Sequence, residues 1–259
     1  MSPDKVVAIV QARMGSTRLP GKIMKRLAGK PALWHVINRL GRARSLKDII
    51  VATTAKADDD VVAGFCQENG IGCFRGSEND VLDRYYQAAK SFGADPVVRI
   101  TADCPVIDPA IVDDVVEGFF DGHYDLYSLG GEFPDGLDCE IFAFWVLEDA
   151  RACATLPSER EHVGVYPAKH PEKYRKGSYE KFSGLAHLRW TLDEEADLYF
   201  LQAVYERLYR RDTIFYTAEI LELLRREPEL LAINQGIIRN EGLLKSLVQD
   251  EAYLKEITP

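Results

Sequence analysis

Short runs of apolar, often β-branched residues alternate with longer segments of helical spacing in the first half of the chain. Strands are predicted at residues 5–11, 48–54, 72–75 and 96–101, and helices at residues 31–43, 57–68, 79–92 and 109–119. Strands that alternate with helices of about 10–14 residues indicate βαβ crossovers, which place parallel strands side by side and helices on both faces. The pattern therefore predicts an α/β fold with a mostly parallel sheet.

The pattern changes after residue 124. Extended segments are predicted at 124–129, 137–144, 174–182 and 187–192, and helices at 145–153, 158–169, 195–208, 218–226 and 240–250. The turn-forming stretch GGEFPDGL separates the first two extended segments, which predicts a small antiparallel insertion at the far edge of the sheet. We expect a single domain over residues 1–259, subdivided into residues 1–123, 124–193 and 194–259.

Aromatic residues recur in the C-terminal helical region at spacings suited to packing: Tyr199, Phe200, Tyr205, Tyr209 and Phe215. Such a pattern is more typical of a packed face than of a ligand-binding box. We therefore expect these residues to form core contacts or the contact surface of a homodimer.

The charge balance is acidic, with 32 Lys and Arg against 41 Asp and Glu and a formal net charge of −9. General nucleic-acid binders carry a basic face, so this balance argues against nucleic acid as a partner. No apolar run reaches the roughly 18 residues of a membrane span, and the start lacks the charge pattern of a signal peptide, so we expect a cytoplasmic protein. The five cysteines never occur as CxxC, which indicates reduced thiols and no zinc site.

The sharpest local feature is the loop Ala12–Lys22, which directly follows the first predicted strand. It carries three cations, Arg13, Arg18 and Lys22, and no acid, in a chain whose net charge is −9. Ligands of open parallel sheets bind beyond the carboxyl ends of the strands, where this loop begins. Arginine holds phosphate oxygens in bidentate fashion and lysine supplies a compact point charge, so the loop is predicted to bind a polyphosphate.

Small and hydroxylated residues in the same loop support this interpretation. Gly15 and Gly21 let the backbone N–H groups approach a ligand, and Ser16 and Thr17 add hydroxyl donors. Five residues lie between the two glycines, where a Walker A motif has four, and no Ser or Thr follows Lys22. The loop is therefore not a Walker A motif, and GxGxxG is absent as well. A solvated basic turn is the alternative.

Two aspartates follow extended segments and are candidate metal ligands. Asp103 comes directly after the strand at 96–101, and Asp193 follows the segment at 187–192. Magnesium in proteins takes one or two carboxylates together with substrate phosphates, so the pair would suit a site beside a polyphosphate loop. The alternatives are a turn or cap role for Asp103 and a helix N-cap role for Asp193.

Four blocks in this order, VAIVQARMGSTRLPGK, GSENDVLDRYYQA, VVRITADCPVIDP and RWTLDEEADL, resemble the cytidylyltransferase family. The resemblance is to the branch of spore-coat polysaccharide biosynthesis protein F, which is related to the CMP-Kdo and acylneuraminate cytidylyltransferases. It extends through PDGLDCEIF, SEREHV and INQGIIRNEGLLKSL and so covers nearly the whole chain. It implies a Rossmann-like nucleotidyltransferase fold similar to that of glycosyltransferase-A enzymes, with nucleotide bound by residues 1–123 and acceptor by residues 124–193.

The resemblance also implies site residues. Asp103 and Asp193 would hold Mg²⁺, and Arg13, Arg18 and Lys22 would be catalytic. The implied nucleotide-binding residues are Ala12, Arg13, Met14, Gly15, Ser16, Thr17, Arg18, Lys22, Gly76, Ser77, Asp80, Arg84, Thr101 and Ala102. One departure is that Thr101-Ala102 stands where Kdo enzymes have Gln-Gly, which argues against Kdo itself as the acceptor.

The candidate acceptor-binding residues are Asp135, Asp138, Glu140, Glu161 and His162. Their acids could hold hydroxyl or amine groups of the acceptor, and His162, whose ordinary pKa is near neutrality, is a candidate for deprotonating the nucleophile. For each of them alone, a turn carboxylate or a surface helix residue is an equal alternative.

The reaction expected from these residues is transfer of CMP from CTP to a small anionic acceptor, a sugar acid, a phosphorylated small molecule or a phosphonate, with release of pyrophosphate. Two alternatives remain open. One is a glycosyltransferase of polysaccharide biosynthesis that consumes a nucleotide sugar. The other is a catalytically silent nucleotide-binding regulator.

Overall fold

The computed structural model of the protein describes residues 6–257 and is built around a seven-stranded sheet. The strands of the chain are β1 (Val7–Gln11), β2 (Arg26–Leu27), β3 (Lys30–Pro31), β4 (Asp48–Thr54), β5 (Gly72–Gly76), β6 (Val97–Thr101), β7 (Leu126–Leu129), β8 (Glu140–Phe142) and β9 (Lys176–Tyr179). The helices are α1 (Ala32–Leu40), α2 (Asp60–Asn69), α3 (Val81–Phe92), α4 (Pro109–Asp121), α5 (Phe144–Cys153), α6 (Pro157–Glu161), α7 (Val165–Lys169), α8 (Glu195–Leu208), α9 (Thr217–Arg226) and α10 (Glu241–Ile257).

The sheet has the strand order β5-β4-β1-β6-β8-β7-β9, and β2 and β3 form a separate hairpin. β1 pairs in parallel with β4 and β6, and β4 pairs in parallel with β5. β8 runs antiparallel between β6 and β7, and β9 pairs in parallel with β7. Residues 7–10 of β1 are all buried, as expected of a strand covered on both faces. The predicted α/β fold is confirmed, and the antiparallel strand β8 belongs to the main sheet.

The carboxyl ends of β1 and β6 lie side by side. Pairing continues beyond both strands, since Ala12 N donates to Ala52 O over 3.1 Å and Ala102 N donates to Gln11 O over 2.9 Å. The loop after β1 and the segment Thr101–Asp103 at the end of β6 therefore leave the sheet at one edge.

The prediction of one continuous helix at 158–169 is wrong. The structure has two short helices there, α6 and α7, because His162 takes an extended backbone conformation that ends α6. Gly164 then passes close to Glu140, where an added Cβ atom would lie 2.8 Å from Glu140 Oε1. The break brings the junction of the two helices next to β8.

The predicted strand at 187–192 is also wrong. Within residues 6–257, the segment forms only one isolated bridge, between Asp135 and Arg189. Its backbone bonds run to loops instead, because Leu192 N donates to Asp103 O over 2.7 Å. The segment joins two loops at the sheet edge and does not extend the sheet.

The C-terminal aromatic residues pack mostly as predicted. Phe200, Tyr205 and Phe215 are buried, and Tyr209 packs against the core. Tyr199 is 53% exposed and is therefore not a core residue, and its place in a dimer contact stays a prediction. The C-terminal helices are therefore held by most, but not all, of the predicted aromatic contacts.

The cysteines and the helices can also be compared with the expectations from the sequence. The five cysteines, all within the described residues, are free thiols as predicted. None of the helices within residues 6–257 combines the length and the apolar character that crossing a bilayer requires. Lys5, the first residue of the predicted strand 5–11, lies outside the described residues.

Candidate active site

A cavity of about 620 Å³ opens at the sheet edge where the loop after β1 meets the end of β6. This volume is in the range of small-molecule sites. The lining residues come from segments far apart in sequence, within 11–23, 99–104, 128–140, 161–168, 189–193 and 238–243. The site is therefore assembled by the tertiary fold.

The loop after β1 lines part of the cavity wall, and we call this part, with the residues paired to the loop, the loop end. Of its predicted phosphate-binding residues, those that reach the cavity wall are Arg13, Gly15, Ser16, Thr17, Arg18 and Lys22. Met14 anchors the loop, because its N–H donates to Asp59 Oδ1 over 2.6 Å and its carbonyl accepts from Ser16 N and Gly21 N over 2.8 and 3.2 Å. Gly21 has a φ of 67°, a left-handed conformation that favours glycine. This turn leads into the 3₁₀ turn that begins at Lys22, and Lys22 lines the cavity.

Lys22 joins the two predicted metal ligands. Its Nζ lies 2.5 Å from Asp103 Oδ2 and 2.8 Å from Asp193 Oδ1. Burial lowers the pKa of Lys22, but the two carboxylates outweigh it, so the pKa lies above its ordinary value. Burial likewise raises the pKa of Asp103, but Lys22 outweighs it and the pKa is lowered. The ammonium and the Asp103 carboxylate are therefore both charged at neutral pH.

The backbone explains why the two aspartates converge. Leu192 N donates to the carbonyl of Asp103 over 2.7 Å, and Thr191 Oγ1 donates to the same carbonyl over 3.2 Å. These bonds fix the segment before Asp193 against the end of β6. The Asp193 side chain is free of a capping role, since the N-cap of α8 is Glu194.

Asp103 and Asp193 form a donor set that fits Mg²⁺. Magnesium is bound by one or two carboxylates and completes its six oxygens with water and substrate phosphates. Within residues 6–257, no group of three or more His, Cys, Asp and Glu side chains is arranged to hold a metal ion. The pair therefore suits a cation that is shared with a phosphate ligand better than a closed structural site. The Lys22 ammonium lies where such a cation would be held.

Arg18 makes a second set of ion pairs at the loop end. Its guanidinium contacts Asp193, and its Nη1 donates to Glu241 Oε2 at the start of α10 over 2.5 Å. Both side chains of the Glu241 pair are about one third exposed, at 29% and 34%. Ion pairs of this exposure are weak, so the Arg18–Glu241 pair contributes little to stability.

All five predicted acceptor-binding residues line the same cavity, and we call the part of the wall that they form the acceptor end: Asp135, Asp138, Glu140, Glu161 and His162. Arg189 Nη1 donates to Asp135 Oδ2 over 3.0 Å, and Gly136 N donates to Asp138 Oδ2 over 3.0 Å. Burial and the neighbouring Asp138 raise the pKa of Asp135 to about 6. Burial also raises the pKa of Asp138.

Arg99 is a cavity residue that sequence reasoning missed. It lies on β6 directly opposite Glu140 of β8, and its Nη1 donates to Glu140 Oε2 over 2.6 Å. Its Nε is buried and has no hydrogen-bond partner within residues 6–257. The available signal was an arginine within the otherwise apolar strand PVVRIT, in alternation with Thr101 on one face.

Other lining residues also had no role assigned from the sequence. Among them are Gln11 of β1, Arg189, and the segment Asn240–Leu243 at the start of α10. Only the fold brings the last of these, more than 200 residues from β1 in the chain, to the cavity wall.

The structure brings Thr101 and Ala102 to the cavity, but not every predicted nucleotide-binding residue. The predicted nucleotide-binding residues that do not line the cavity are Ala12, Met14, Gly76, Ser77, Asp80 and Arg84. Asp80 caps α3 by accepting from Asp83 N over 2.8 Å, and the buried Arg84 donates to the carbonyl of Ser77. The nucleotide roles of these residues stay predictions.

Comparison with known proteins identifies the family. A sequence profile described as Cytidylyltransferase matches residues 7–252. The spore coat polysaccharide biosynthesis protein SpsF of Bacillus subtilis (strain 168) is 31% identical over 234 residues, 87% of this chain and 96% of that protein. A solved cytidylyltransferase from Leptospira borgpetersenii superposes with a TM-score of 0.84 at 33% identity and covers 91% of this chain and 99% of its own.

A more distant structure confirms the nucleotidyltransferase fold. It is a CMP:2-keto-3-deoxy-manno-octonic acid synthetase complexed with CTP, with a TM-score of 0.61 at 18% identity over 78% of this chain and 99% of that one. Because the family profile spans nearly the whole sequence, the protein belongs to the cytidylyltransferase family of nucleotidyltransferases.

Proposed function

We propose that this protein transfers CMP from CTP to a small anionic acceptor, with Mg²⁺ as cofactor and pyrophosphate as the second product. The observation that carries the proposal is the convergence of Asp103 and Asp193 on the Lys22 ammonium, at 2.5 and 2.8 Å, beside the cationic loop. Two carboxylates that share the Lys22 ammonium, next to the two other loop cations Arg13 and Arg18, form a site for a metal-bound triphosphate.

The loop end would act mainly by charge stabilisation and positioning. In nucleotidyl transfer, an acceptor oxygen attacks the α-phosphorus in line and pyrophosphate leaves. Arg13, Arg18 and Lys22 would neutralise the charge that develops on the pyrophosphate. Mg²⁺ bound to Asp103 and Asp193 would add charge neutralisation on the phosphate oxygens. A relative of this fold was solved with CTP, which supports CTP as the nucleotide.

The acceptor end favours an acceptor that carries both an anionic group and hydrogen-bonding groups. Arg99 supplies a guanidinium there, while Asp135, Asp138 and Glu161 supply oxygen acceptors for hydroxyl or amine groups. A second cavity of about 340 Å³ shares Glu140 and three other lining residues with the first, Ser128, Gly164 and Ala168. Sugar acids, phosphorylated small molecules and phosphonates fit this description. The name of the Bacillus relative supports a role in polysaccharide biosynthesis.

A pyrophosphate-release assay tests the proposal. The purified protein is incubated with each of the four nucleoside triphosphates and Mg²⁺, against a panel of sugar acids, phosphorylated small molecules and phosphonates. We expect release with CTP and one acceptor class, and its loss when EDTA removes the metal. Consumption of a nucleotide sugar without pyrophosphate release would favour the glycosyltransferase alternative. Tight CTP binding without turnover on any acceptor would favour the regulator.

We also propose that the protein forms a homodimer. The C-terminal helix α10 has a row of exposed apolar side chains, Leu244, Leu247, Val248 and Leu254. An exposed apolar row of this kind is typical of a protein contact surface. Light scattering at several protein concentrations tests the dimer, and a monomer at all of them would contradict it.

A further inference from the structure

The C-terminal helix α10 places a buried hydroxyl against two residues of the acceptor end. Ser246 is only 1% exposed, and its Oγ donates to Glu161 Oε2 over 2.6 Å. The same Oγ lies 3.1 Å from Nε2 of His162 and 3.1 Å from the carbonyl of Gly242 one turn earlier. A residue near the end of the chain thus contacts both members of the Glu161-His162 pair.

These contacts determine which ring nitrogen of His162 carries the proton. The Ser246 hydroxyl has one proton, and its two oxygen neighbours, a carboxylate and a carbonyl, can only accept it. The 2.6 Å separation from the Glu161 carboxylate requires that the proton lie between those two oxygens. His162 Nε2 therefore faces an oxygen lone pair and must be the donor. In a neutral ring, Nδ1 is then unprotonated and basic.

The surroundings of His162 keep the ring neutral. Burial lowers its pKa, Glu161 on α6 and a hydrogen bond to the Gly242 carbonyl oppose this, and Arg99 on β6 and Arg13 in the loop lower it further, so the pKa lies below its ordinary value. From α10 the ring meets Ser246 and the Gly242 carbonyl, which are uncharged. At neutral pH, the ring is consequently available as a base.

We infer that Ser246 is a positioning residue that holds His162 as the Nε2–H tautomer, so that Nδ1 takes the proton from a hydroxyl of the acceptor. The inference rests on the proposed function. The acceptor O–H bond breaks and its proton moves to Nδ1, while the oxygen forms a bond to the α-phosphorus. The bond from that phosphorus to the bridging oxygen breaks, and its electron pair leaves with pyrophosphate. Arg13 Nη2 lies 4.0 Å from Glu161 Oε1, which places this pair beside the phosphate-binding loop.

The inference narrows the acceptor class. A phosphate or phosphonate oxygen is largely ionised at neutral pH and has no proton to lose, because the second pKa of a phosphate monoester is about 6. A hydroxyl nucleophile keeps its proton and benefits from a base, by about 10²–10⁴-fold in rate. A base at His162 therefore selects acceptors that react through a hydroxyl, which is the sugar-acid type of the candidates above.

The first experiment determines the tautomer of His162 by NMR and does not depend on enzyme activity. The ring nitrogens of ¹⁵N-histidine-labelled protein are observed by two-bond proton–nitrogen correlation, and His162→Gln assigns the signal. We expect the Nε2–H pattern in the natural protein, a mixture of tautomers in Ser246→Ala and the natural pattern in Ser246→Thr, which keeps the hydroxyl. The matched control is Asp250→Asn: Asp250 lies one turn later on α10 and docks the helix by accepting from Ser158 N over 2.8 Å, without contacting His162.

The second experiment measures pyrophosphate release with CTP and 3-deoxy-manno-octulosonate, N-acetylneuraminate or 2-aminoethylphosphonate. We expect turnover only with a hydroxyl acceptor, about a hundredfold loss in His162→Gln and about tenfold loss in Ser246→Ala with an unchanged KM for CTP. Asp250→Asn should stay within about twofold of the natural rate, and the acid limb of the kcat–pH profile should move only in the Ser246 and His162 variants.

An Nδ1–H pattern in the natural protein, or a Ser246→Ala variant with unaltered tautomer and pH profile, would overturn the inference while the transfer reaction stood. Turnover with the phosphonate alone would also overturn it. If no acceptor yields pyrophosphate, the proposed transfer fails, and the nitrogen spectra still decide whether Ser246 sets the tautomer.

Discussion

The two ends of the cavity use ion pairs in opposite ways. At the loop end, Arg18 and Lys22 are paired with Asp103, Asp193 and Glu241. The Arg18–Glu241 pair is about one third exposed, whereas the Lys22 pairs are mostly buried. Under the proposed function, phosphate oxygens and a metal ion would replace these partners. At the acceptor end, by contrast, the ion pairs hold neighbouring strands and loops of the fold together.

Arg99 and Glu140 lie opposite each other on paired strands, and Arg189 is locked between Asp135 and the fully buried Asp197. The side chain of Arg189 is only 9% exposed. Breaking such a pair leaves a buried charge without compensation, which is costly. Under the proposed function, the loop end would exchange ion-pair partners when substrate binds, and the acceptor end would keep its shape.

Substitutions at the loop end should have the largest effect on turnover. We expect Asp103→Asn or Lys22→Met to lower kcat at least about a hundredfold, since loss of one stabilising partner of transition-state charge costs about 3–4 kcal/mol. Circular dichroism should show a folded protein. Lys47→Met, which removes an exposed lysine away from the cavity lining, is the matched control. Near-normal turnover in either loop-end variant would remove that residue from its role.

At the acceptor end, Arg99→Met should raise the acceptor KM about thirtyfold and leave the KM for CTP within about twofold. The reason is that Glu140 would then face the anionic acceptor without its partner. The variant should also lose about 3 kcal/mol of unfolding free energy, measured with urea. The double variant Arg99→Met/Glu140→Leu should recover the stability but not the acceptor binding. Equal effects on both substrates would mean that the two ends are not separate.

The ionisation of Asp135 allows the acceptor end to be tested by changing the pH. Its folded pKa is about 6 and its ordinary value 3.8, so the folded state binds a proton more tightly than the unfolded state does. Stability relative to Asp135→Asn should therefore be highest near pH 4 and fall by about 1–3 kcal/mol as the pH rises through 6. Urea unfolding of both proteins at pH 4.5 and 7.5 measures the difference. A pH-independent difference would show that Asp135 titrates normally.

The smallest effect should come from Glu241→Gln. Removing this carboxylate frees Arg18 Nη1 for a phosphate oxygen, so the KM for CTP should fall about two- to fourfold, in keeping with a partly exposed pair. Glu251→Gln, an exposed acid farther along α10, is the control. An increase in the KM for CTP would show that the Arg18–Glu241 pair is structural, like the pairs of the acceptor end.

The sequence was most informative where local pattern and chemistry coincide. The central strands and the Ala12–Lys22 loop follow from apolar runs that end in glycines and cations, and Asp103 follows from its place directly after β6. Each of these signals lies within about ten residues, so no long-range packing is needed to read it. The helix at 158–169 and the strand at 187–192 failed because contacts with Glu140 and with Asp103 override the local preference there.

What the sequence determined by itself is the α/β framework, the family and the position of a cationic loop at a strand end. What only the tertiary structure decided is how distant side chains meet. The Lys22 ammonium lies between aspartates 81 and 171 residues further along the chain, and Ser246 reaches His162 across 84 residues. Periodicity specifies which face of an element is buried. The distances between side chains on different elements depend on how those faces pack together, and no local pattern encodes that packing.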